Sequence, residues 1–345
     1  MWVKGTIKSP AGDVSIISTD ITPAEKWEHV KCRISAFRNS YMVEPGLYAV
    51  GSPGEDSDVL VSANYKLSFD HLRVSLKGID AWVLVLDTKG VNVWCAAGKG
   101  TFSTAELIGR VRASGIEKIV SHRRLIVPQL GAVGISAHEV KKATGFRVHY
   151  GPVYASDILK YIKAGYSAEP SMRRARFGLW DRLVLTPMEI IPAMKFFPKF
   201  ALVVLLFFGL RPEGIIFRDS LTGGLPILVM GLMAILSGAL LTPVLLPWLP
   251  FRAFALKGYL TGLAVTWLGA SWLLQGAHWS VLTAAWIWFP LASSYVALQF
   301  TGTTTFTGMS GVDKELRAGI PLYIGGTVLS ILLLVTNMIV LWRAL

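Results

Sequence analysis

Only two cysteines, Cys32 and Cys95, occur in 345 residues. Two thiols do not make a secreted disulfide framework. They are also too few for a 4Fe–4S cluster, which as a rule takes four cysteine ligands, so any low-potential electron has to come from another protein. Charge is scarce: 16% of residues are Asp, Glu, Lys or Arg, and the mean hydropathy is +0.50. Apolar residues concentrate after Pro192, so the chain does not have a soluble composition throughout. The more polar half has no basic stripe interleaved with aromatics, and the formal charge of +12 therefore does not point to nucleic acid. Met1 to Asp13 contains lysines but no apolar segment and does not read as a signal peptide. The first half is accordingly expected to stay in the cytoplasm.

What is present centres on Val91-Asn92-Val93-Trp94-Cys95-Ala96-Ala97-Gly98-Lys99-Gly100. It follows the apolar run Ala81 to Asp87, which is short and nearly free of polar residues and reads as a buried strand. The stretch thus falls near the carboxyl end of a strand, where open α/β sheets bind ligands. Asn92 is a good helix N-cap, and Cys95 then lies in the first turn, where exposed N–H groups favour an anion. Small Ala96, Ala97 and Gly98 would let something broad and flat approach the backbone. Gly98-Lys99 is not a P-loop: that motif needs Gly where Val93 stands and Ser or Thr where Gly100 stands. A dinucleotide fingerprint fails at Ser103. A lone cysteine in an apolar setting is most often an inert core residue, which is the plain alternative for Cys95 and the favoured one for Cys32.

Asn92 to Lys99 resembles the corrinoid-binding cap of the mercury-methylating corrinoid proteins, the HgcA family, whose signature Asn-Val/Ile-Trp-Cys-Ala-Ala/Gly-Gly-Lys it matches at every position. A related domain occurs in the corrinoid iron–sulfur protein of acetyl-CoA synthesis. The resemblance implies a cobalamin-type corrinoid bound base-off, with Cys95 as the lower axial ligand of cobalt. It implies contacts from Asn92, Val93, Trp94, Ala96, Ala97, Gly98, Lys99 and Gly100. Ser62, Ala63 and Asn64, at another strand end, are carried over as further corrin contacts. Gln129 and Gly131, in the loop Pro128 to Gly134, are plausible ones, although glycines there could equally serve only the turn. The Asp-x-His-x-x-Gly motif of histidine-ligated corrinoid proteins is absent from the sequence. The implied activity is methyl transfer from methyl-cobalt to inorganic Hg(II) presented as a thiolate complex. A ferredoxin-like 4Fe–4S protein, HgcB in that family, would supply electrons, and a methylated folate-type or corrinoid donor the methyl group. The alternative is a corrinoid methyl carrier of one-carbon metabolism with a different acceptor. A transporter with a nucleotide-binding domain is disfavoured by the failed P-loop.

The rest of the chain predicts a Rossmann-like α/β domain over residues 1–165, a basic linker over 166–190 and a transmembrane helical domain over 191–345. Further strands are expected at Tyr48–Val50, Asp58–Val61, Lys118–Val120, Leu125–Val127 and Phe146–Tyr150. Helices are expected around Phe69–Leu76, with His71 and Arg73 outward, from the capping box Ser103 to Glu106, at Ala137–Thr144 and at Ala155–Ala164. Arg173, Arg174, Arg176 and Arg182 read as a solvated cluster beside a membrane, able to touch anionic lipid. Five spans of about 20 residues are expected near Ile191–Leu210, Leu221–Leu246, Leu256–Leu274, Val281–Phe300 and Ile320–Trp342. An odd number places the carboxyl terminus outside a cytoplasmic membrane. The centres of the last four carry no charge, which argues against an ion pump.

Overall fold

The computed structural model describes residues 2–300 and 309–343. The chain divides into two compact units, Met1–Arg176 and Phe177–Leu345.

The first unit is built on a seven-stranded sheet in the order β1-β2-β3-β5-β4-β6-β7. The strands are β1 (Val3–Ser9), β2 (Gly12–Ile17), β3 (Gly46–Val50), β4 (Val59–Ala63), β5 (Ala81–Leu86), β6 (Arg124–Val127) and β7 (Arg147–Tyr150). Strands β5, β4, β6 and β7 run parallel, while β3 is antiparallel to β5. Every residue of β5 is buried, because helices cover both faces. Trp82, Leu84 and Leu86 pack with α4 (Thr104–Ser114) through Leu107 and Val111 and with α5 (Ala137–Thr144) through Val140. Val83 and Val85 pack on the other face with α2 (Lys66–Ser75) through Phe69 and Leu72 and with α6 (Ile158–Lys163) through Tyr161. Strand β4 is followed by β5 on one side, and the chain then crosses back to place β6 on the other. This is a topological switch point of the kind that opens a ligand crevice at the carboxyl ends of the strands.

Two expected elements differ. Lys118–Val120 is not a strand. Ile116–Lys118 forms a 3-10 turn after left-handed Gly115, and Ile116, Ile119 and Val120 are buried as a turn rather than as a ladder. The second difference is electrostatic. Arg73, expected on the polar side of α2, is fully buried, and Val74 faces outward instead. Thr22 caps α1 (Pro23–Ile34), and Glu25 of that helix receives Arg73 Nη2 at 2.5 Å and Lys66 Nζ at 3.1 Å. Asp70 receives Arg73 Nε at 2.7 Å, Lys66 Nζ at 2.9 Å and His29 Nε2 at 2.8 Å. Arg73 Nη1 also donates to the carbonyls of Ser18 and Asp20, at 2.5 and 2.8 Å. Buried charges persist only when paired and hydrogen-bonded in this way. Burial alone would raise the Asp70 carboxyl, but the His29, Lys66 and Arg73 donors pull it down to about 2.

The second unit is helical: α7 (Leu179–Leu185), α8 (Pro187–Gly209), α9 (Phe217–Leu236), α10 (Thr242–Leu245), α11 (Phe254–Leu273), α12 (Trp279–Gln299) and α13 (Met309–Arg343). A π-helical stretch, Ser237–Leu241, joins α9 to α10. Among the described residues, four segments are long and apolar enough to cross a membrane: Leu179–Gly209, Phe217–Leu245, Trp279–Gln299 and Gly311–Trp342. The third expected span, α11, has the length but not the apolarity, because Lys257, Gly258, Thr261, Gly262, Thr266 and Gly269 form its buried face. Those small residues serve close packing: a Cβ on Gly262 would lie 2.8 Å from Pro290 Cα of α12. Ser293 donates to the Gly258 carbonyl at 2.8 Å, and Thr242 and Thr261 hydroxyls meet at 2.6 Å. Arg182 is not a solvated member of its cluster. It is buried and donates to the carbonyls of Pro243 and Val244, at 3.1 and 2.7 Å, capping the end of α10. Outward faces are apolar, with Leu202, Val203, Leu322 and Ile324 all well exposed. The carboxyl-terminal residues, to which the sidedness expectation applies, lie outside the described residues.

Candidate functional site

Helix α3 (Val93–Lys99) starts where the sequence places it, just beyond the end of β5. Asn92 takes extended backbone geometry and its Oδ1 accepts from Cys95 N at 2.9 Å. Gly100 closes the helix in the left-handed region, at φ +79°. Seven residues make two turns, too short to be stable alone, so packing must hold them. Ala96 and Ala97 are the buried side. They join Phe102, which is fully buried, in the core that also takes Leu107 and Val127.

The 3-10 turn Gln129–Gly134 packs beside α3, and its glycines explain how closely. A Cβ on Gly131 would fall 2.4 Å from Phe102 Cε1, and one on Gly134 would fall 2.0 Å from the Phe102 carbonyl oxygen. Gly131 therefore serves close approach of backbone to ring. Gln129 is half-buried, and its Oε1 accepts from Arg173 at 3.0 Å.

The opposite side of α3 is open. Trp94, Cys95, Gly98 and Lys99 are exposed. Cys95 and Gly98 are three residues apart and share a face. A Cβ on Gly98 would meet no atom within 4 Å, so no intramolecular contact requires glycine there. Val133, on the adjoining turn, is 88% exposed, and Trp94, next to Cys95 in the chain, is 39% exposed. Among the described residues, no three or more His, Cys, Asp or Glu side chains gather as a metal site. Cys95 could supply a metal with one ligand only.

Ser62, Ala63 and Asn64 are buried at the end of β4. Asn64 Oδ1 accepts from Thr88 N and Gly90 N, each at 3.0 Å, and lies 2.8 Å from the Thr88 hydroxyl. Asn64 Nδ2 donates to Asp87 Oδ1 at 3.3 Å. The ion pair from Lys89 holds the Asp87 carboxyl below the usual carboxylate range. Ser103 caps α4, but Glu106 does not complete the expected capping box. Its Oε1 turns to Asp87 N at 2.8 Å and to Arg110 at 2.8 Å. It thereby ties α4 to the end of β5, a role no local spacing reveals. Cys32 is buried beside Tyr65, and burial pushes its thiol up.

Residues 30–162 match the family described as CO dehydrogenase/acetyl-CoA synthase delta subunit. That segment contains β3 to β7 and the whole of α3. The chain is similar to the acetyl-CoA decarbonylase/synthase complex subunit gamma of Methanopyrus kandleri, 33% identical over 135 residues, covering 39% of this chain and 29% of the relative. The corresponding subunit of Archaeoglobus fulgidus is 31% identical over 131 residues, 37% of this chain and 27% of the relative. The corrinoid/iron-sulfur protein large subunit of Moorella thermoacetica is 27% identical over 128 residues, 36% of this chain and 28% of the relative. The chain thus spans under a third of the length of these relatives, and the matching family segment ends before the helical unit begins.

Proposed function

We propose that the α/β unit binds a corrinoid over the open side of α3, and that the chain delivers methyl groups to inorganic Hg(II) presented as a thiolate complex. The observation that carries this reading is the exposed Cys95 beside a bare Gly98, within a stretch matching the mercury-methylating signature from Asn92 to Lys99. The residues fit the group. A single thiolate suits a metal that brings its own equatorial ligands, and a flat macrocycle on Cys95 needs the clearance that Gly98 leaves. When bound, a corrinoid supplies a cobalt centre able to carry a methyl group.

The chain's own part is positional and electronic. Cys95 Sγ would be the protein's ligand to the cobalt, in place of the corrinoid's own base. Asn92 holds the Cys95 backbone, and Ala96 and Ala97 seat α3 on the core. With Cys95 holding the cobalt, the bound group would supply a methyl for transfer to Hg(II). Electrons would come from a ferredoxin-like 4Fe–4S partner (HgcB), and the methyl group from a methylated folate-type or corrinoid donor. The helical unit would anchor the protein in the cytoplasmic membrane with the α/β unit inside.

A second reading has its own support. The relatives carry names of acetyl-CoA decarbonylase/synthase subunits and of a corrinoid/iron-sulfur protein, which favours a corrinoid methyl carrier of one-carbon metabolism with a non-mercury acceptor. One experiment separates the two. Full-length protein in detergent is loaded anaerobically with a methylated corrinoid, its absorbance is recorded, and Hg(II) or a one-carbon acceptor system is added. Methylmercury formed in proportion to protein supports the first reading. A base-off spectrum with transfer only to the one-carbon system supports the second, and no bound corrinoid overturns both.

A further inference from the structure

We infer that Asn64 is the positioning residue for Cys95, fixing the strained turn from which α3 starts. The functional meaning of this rests on Cys95 being the corrinoid ligand, whereas the geometry stands by itself. Thr88, Lys89, Gly90 and Val91 form a tight turn closed by Val91 N donating to Thr88 O at 3.1 Å. Its two central residues both have positive φ, +58° at Lys89 and +69° at Gly90. That is the mark of a type I′ turn, which suits Gly, Asn or Asp and penalises lysine. Such backbone persists only where the surroundings over-determine it, and here the surroundings are the Asn64 side chain together with the Asp87 carboxylate, whose Oδ1 accepts from Lys89 N at 3.0 Å. Asn64 Oδ1 takes the N–H groups on either side of Lys89, from Thr88 and Gly90.

Asn64 is itself immobilised. It is 2% exposed, its N–H donates to Leu86 O at 3.0 Å, and its carbonyl accepts from Val43 N at 2.9 Å. The turn transmits the constraint forward. The Thr88 hydroxyl lies between Asn64 Oδ1 and the Val91 carbonyl, 2.7 Å from the latter. Asn92 follows directly and caps α3 on Cys95 N. Two asparagines therefore act in series: Asn64 sets where the turn ends, and Asn92 sets where the sulfur stands. Asn64 reaches the site through backbone and not by touching a ligand, because its amide is consumed by the turn.

The test uses the full chain in detergent with two readouts. Hydrogen exchange over residues 91–99 is measured without corrinoid, and the sulfur-to-cobalt absorption is measured after loading with a cobalamin-type corrinoid. Asn64→Ala should speed exchange in 91–99 by about tenfold or more, as expected for loss of local protection, with α2 and α4 unchanged, and should weaken or shift the absorption. Thr88→Val, a milder change that covers the case of an unfolded alanine variant, should do the same in part. Unchanged exchange and absorption in Asn64→Ala, or in Thr88→Val if the former does not fold, would overturn the inference. Failure of the underlying reading looks different: the wild type then shows no absorption that Cys95→Ala removes, while the exchange result still decides the role of Asn64.

Discussion

The amide oxygen of Asn92 accepts from the backbone N–H of Cys95 at 2.9 Å, so the helix cap and the exposed thiol are one construction. The cap holds the Cys95 backbone whatever its side chain, and the thiol faces solvent. Cys95→Ala should therefore leave the fold intact while abolishing sulfur-to-cobalt absorption and methyl transfer. Cys95→His is the sharper variant: imidazole can bind cobalt but is a neutral, weaker donor. Corrinoid binding should survive in part while transfer to Hg(II) falls much further. Near-normal transfer by Cys95→Ala at full corrinoid occupancy would return Cys95 to the status of a packing thiol.

Gly134→Ala tests how α3 is seated. The added methyl would have to sit 2.0 Å from the Phe102 carbonyl oxygen, so the turn or the segment after α3 must move. Overpacking of this kind costs about 1–3 kcal/mol. Thermal unfolding of the α/β unit should shift downward, and exchange in residues 93–99 should rise before that in β5. Gly98→Ala, inside α3 with no atom nearby, should leave the unit at least as stable, by up to about 1 kcal/mol, yet impair corrinoid loading.

The buried cluster around Asp70 predicts an acid limit. The folded carboxyl lies at about 2 against an ordinary value of 3.8. Its stabilisation is thus fully present above pH 3.8 and is lost as pH falls towards 2. The shift corresponds to about 2 kcal/mol. The opening free energy of α1 and α2, taken from exchange corrected for the intrinsic rate at each pH, should be flat from pH 7 to about 5 and fall steeply below about 4. Asp70→Asn should flatten that dependence and destabilise the unit by about 3–5 kcal/mol, since Lys66 and Arg73 lose one of the two carboxylates they share and Glu25 alone remains.

How much of this was legible depended on sequence distance. The run from Ala81 to Gly100 declares strand, cap and helix by local pattern alone, and α5 is read to the residue because Ser136 and Gly145 bracket it. The buried cluster could not be read. Lys66 and Glu25 are 41 positions apart and Arg73 and Glu25 48 apart, and an arginine on a helix gives no local sign that its partners lie on another. Arg182 was misplaced for the same reason, its acceptors lying 61 and 62 residues onward. Asn64 is carried over from the resemblance as a corrin contact, and nothing local announces it as the support of a turn 24 to 26 residues later.

The two cysteines should separate cleanly in a labelling experiment. Cys95 is exposed, whereas Cys32 is 1% exposed and burial raises its thiol. The thiolate is the reactive form, so both access and protonation protect Cys32. Iodoacetamide at neutral pH should modify one thiol per native chain, removed by Cys95→Ala and retained in Cys32→Ala. Modification of Cys32 at a comparable rate under native conditions would show that α1 opens readily.

The last prediction turns on α11. Among the described residues, four helical segments meet the length and apolarity of a span and α11 does not, so whether their crossings are even or odd in number depends on this one element. Its 20 residues extend about 30 Å, the thickness of the hydrocarbon core. It packs along α12 over much of that length: a Cβ on Gly258 would fall 2.5 Å from Ala297 Cβ, and one on Gly262 2.8 Å from Pro290 Cα. Towards its other end, one on Gly269 would fall 2.4 Å from Met230 Sδ of α9. A helix held so closely to two candidate spans is expected to cross with them, its polar atoms turned inward. Its low hydropathy then reflects a protein-facing surface rather than exclusion from the bilayer. Five crossings place the two ends of the helical unit on opposite sides. A reporter after Leu345 should be active on the far side of the membrane from one fused ahead of Met1. Activity of both on the same side would show that α11 does not cross.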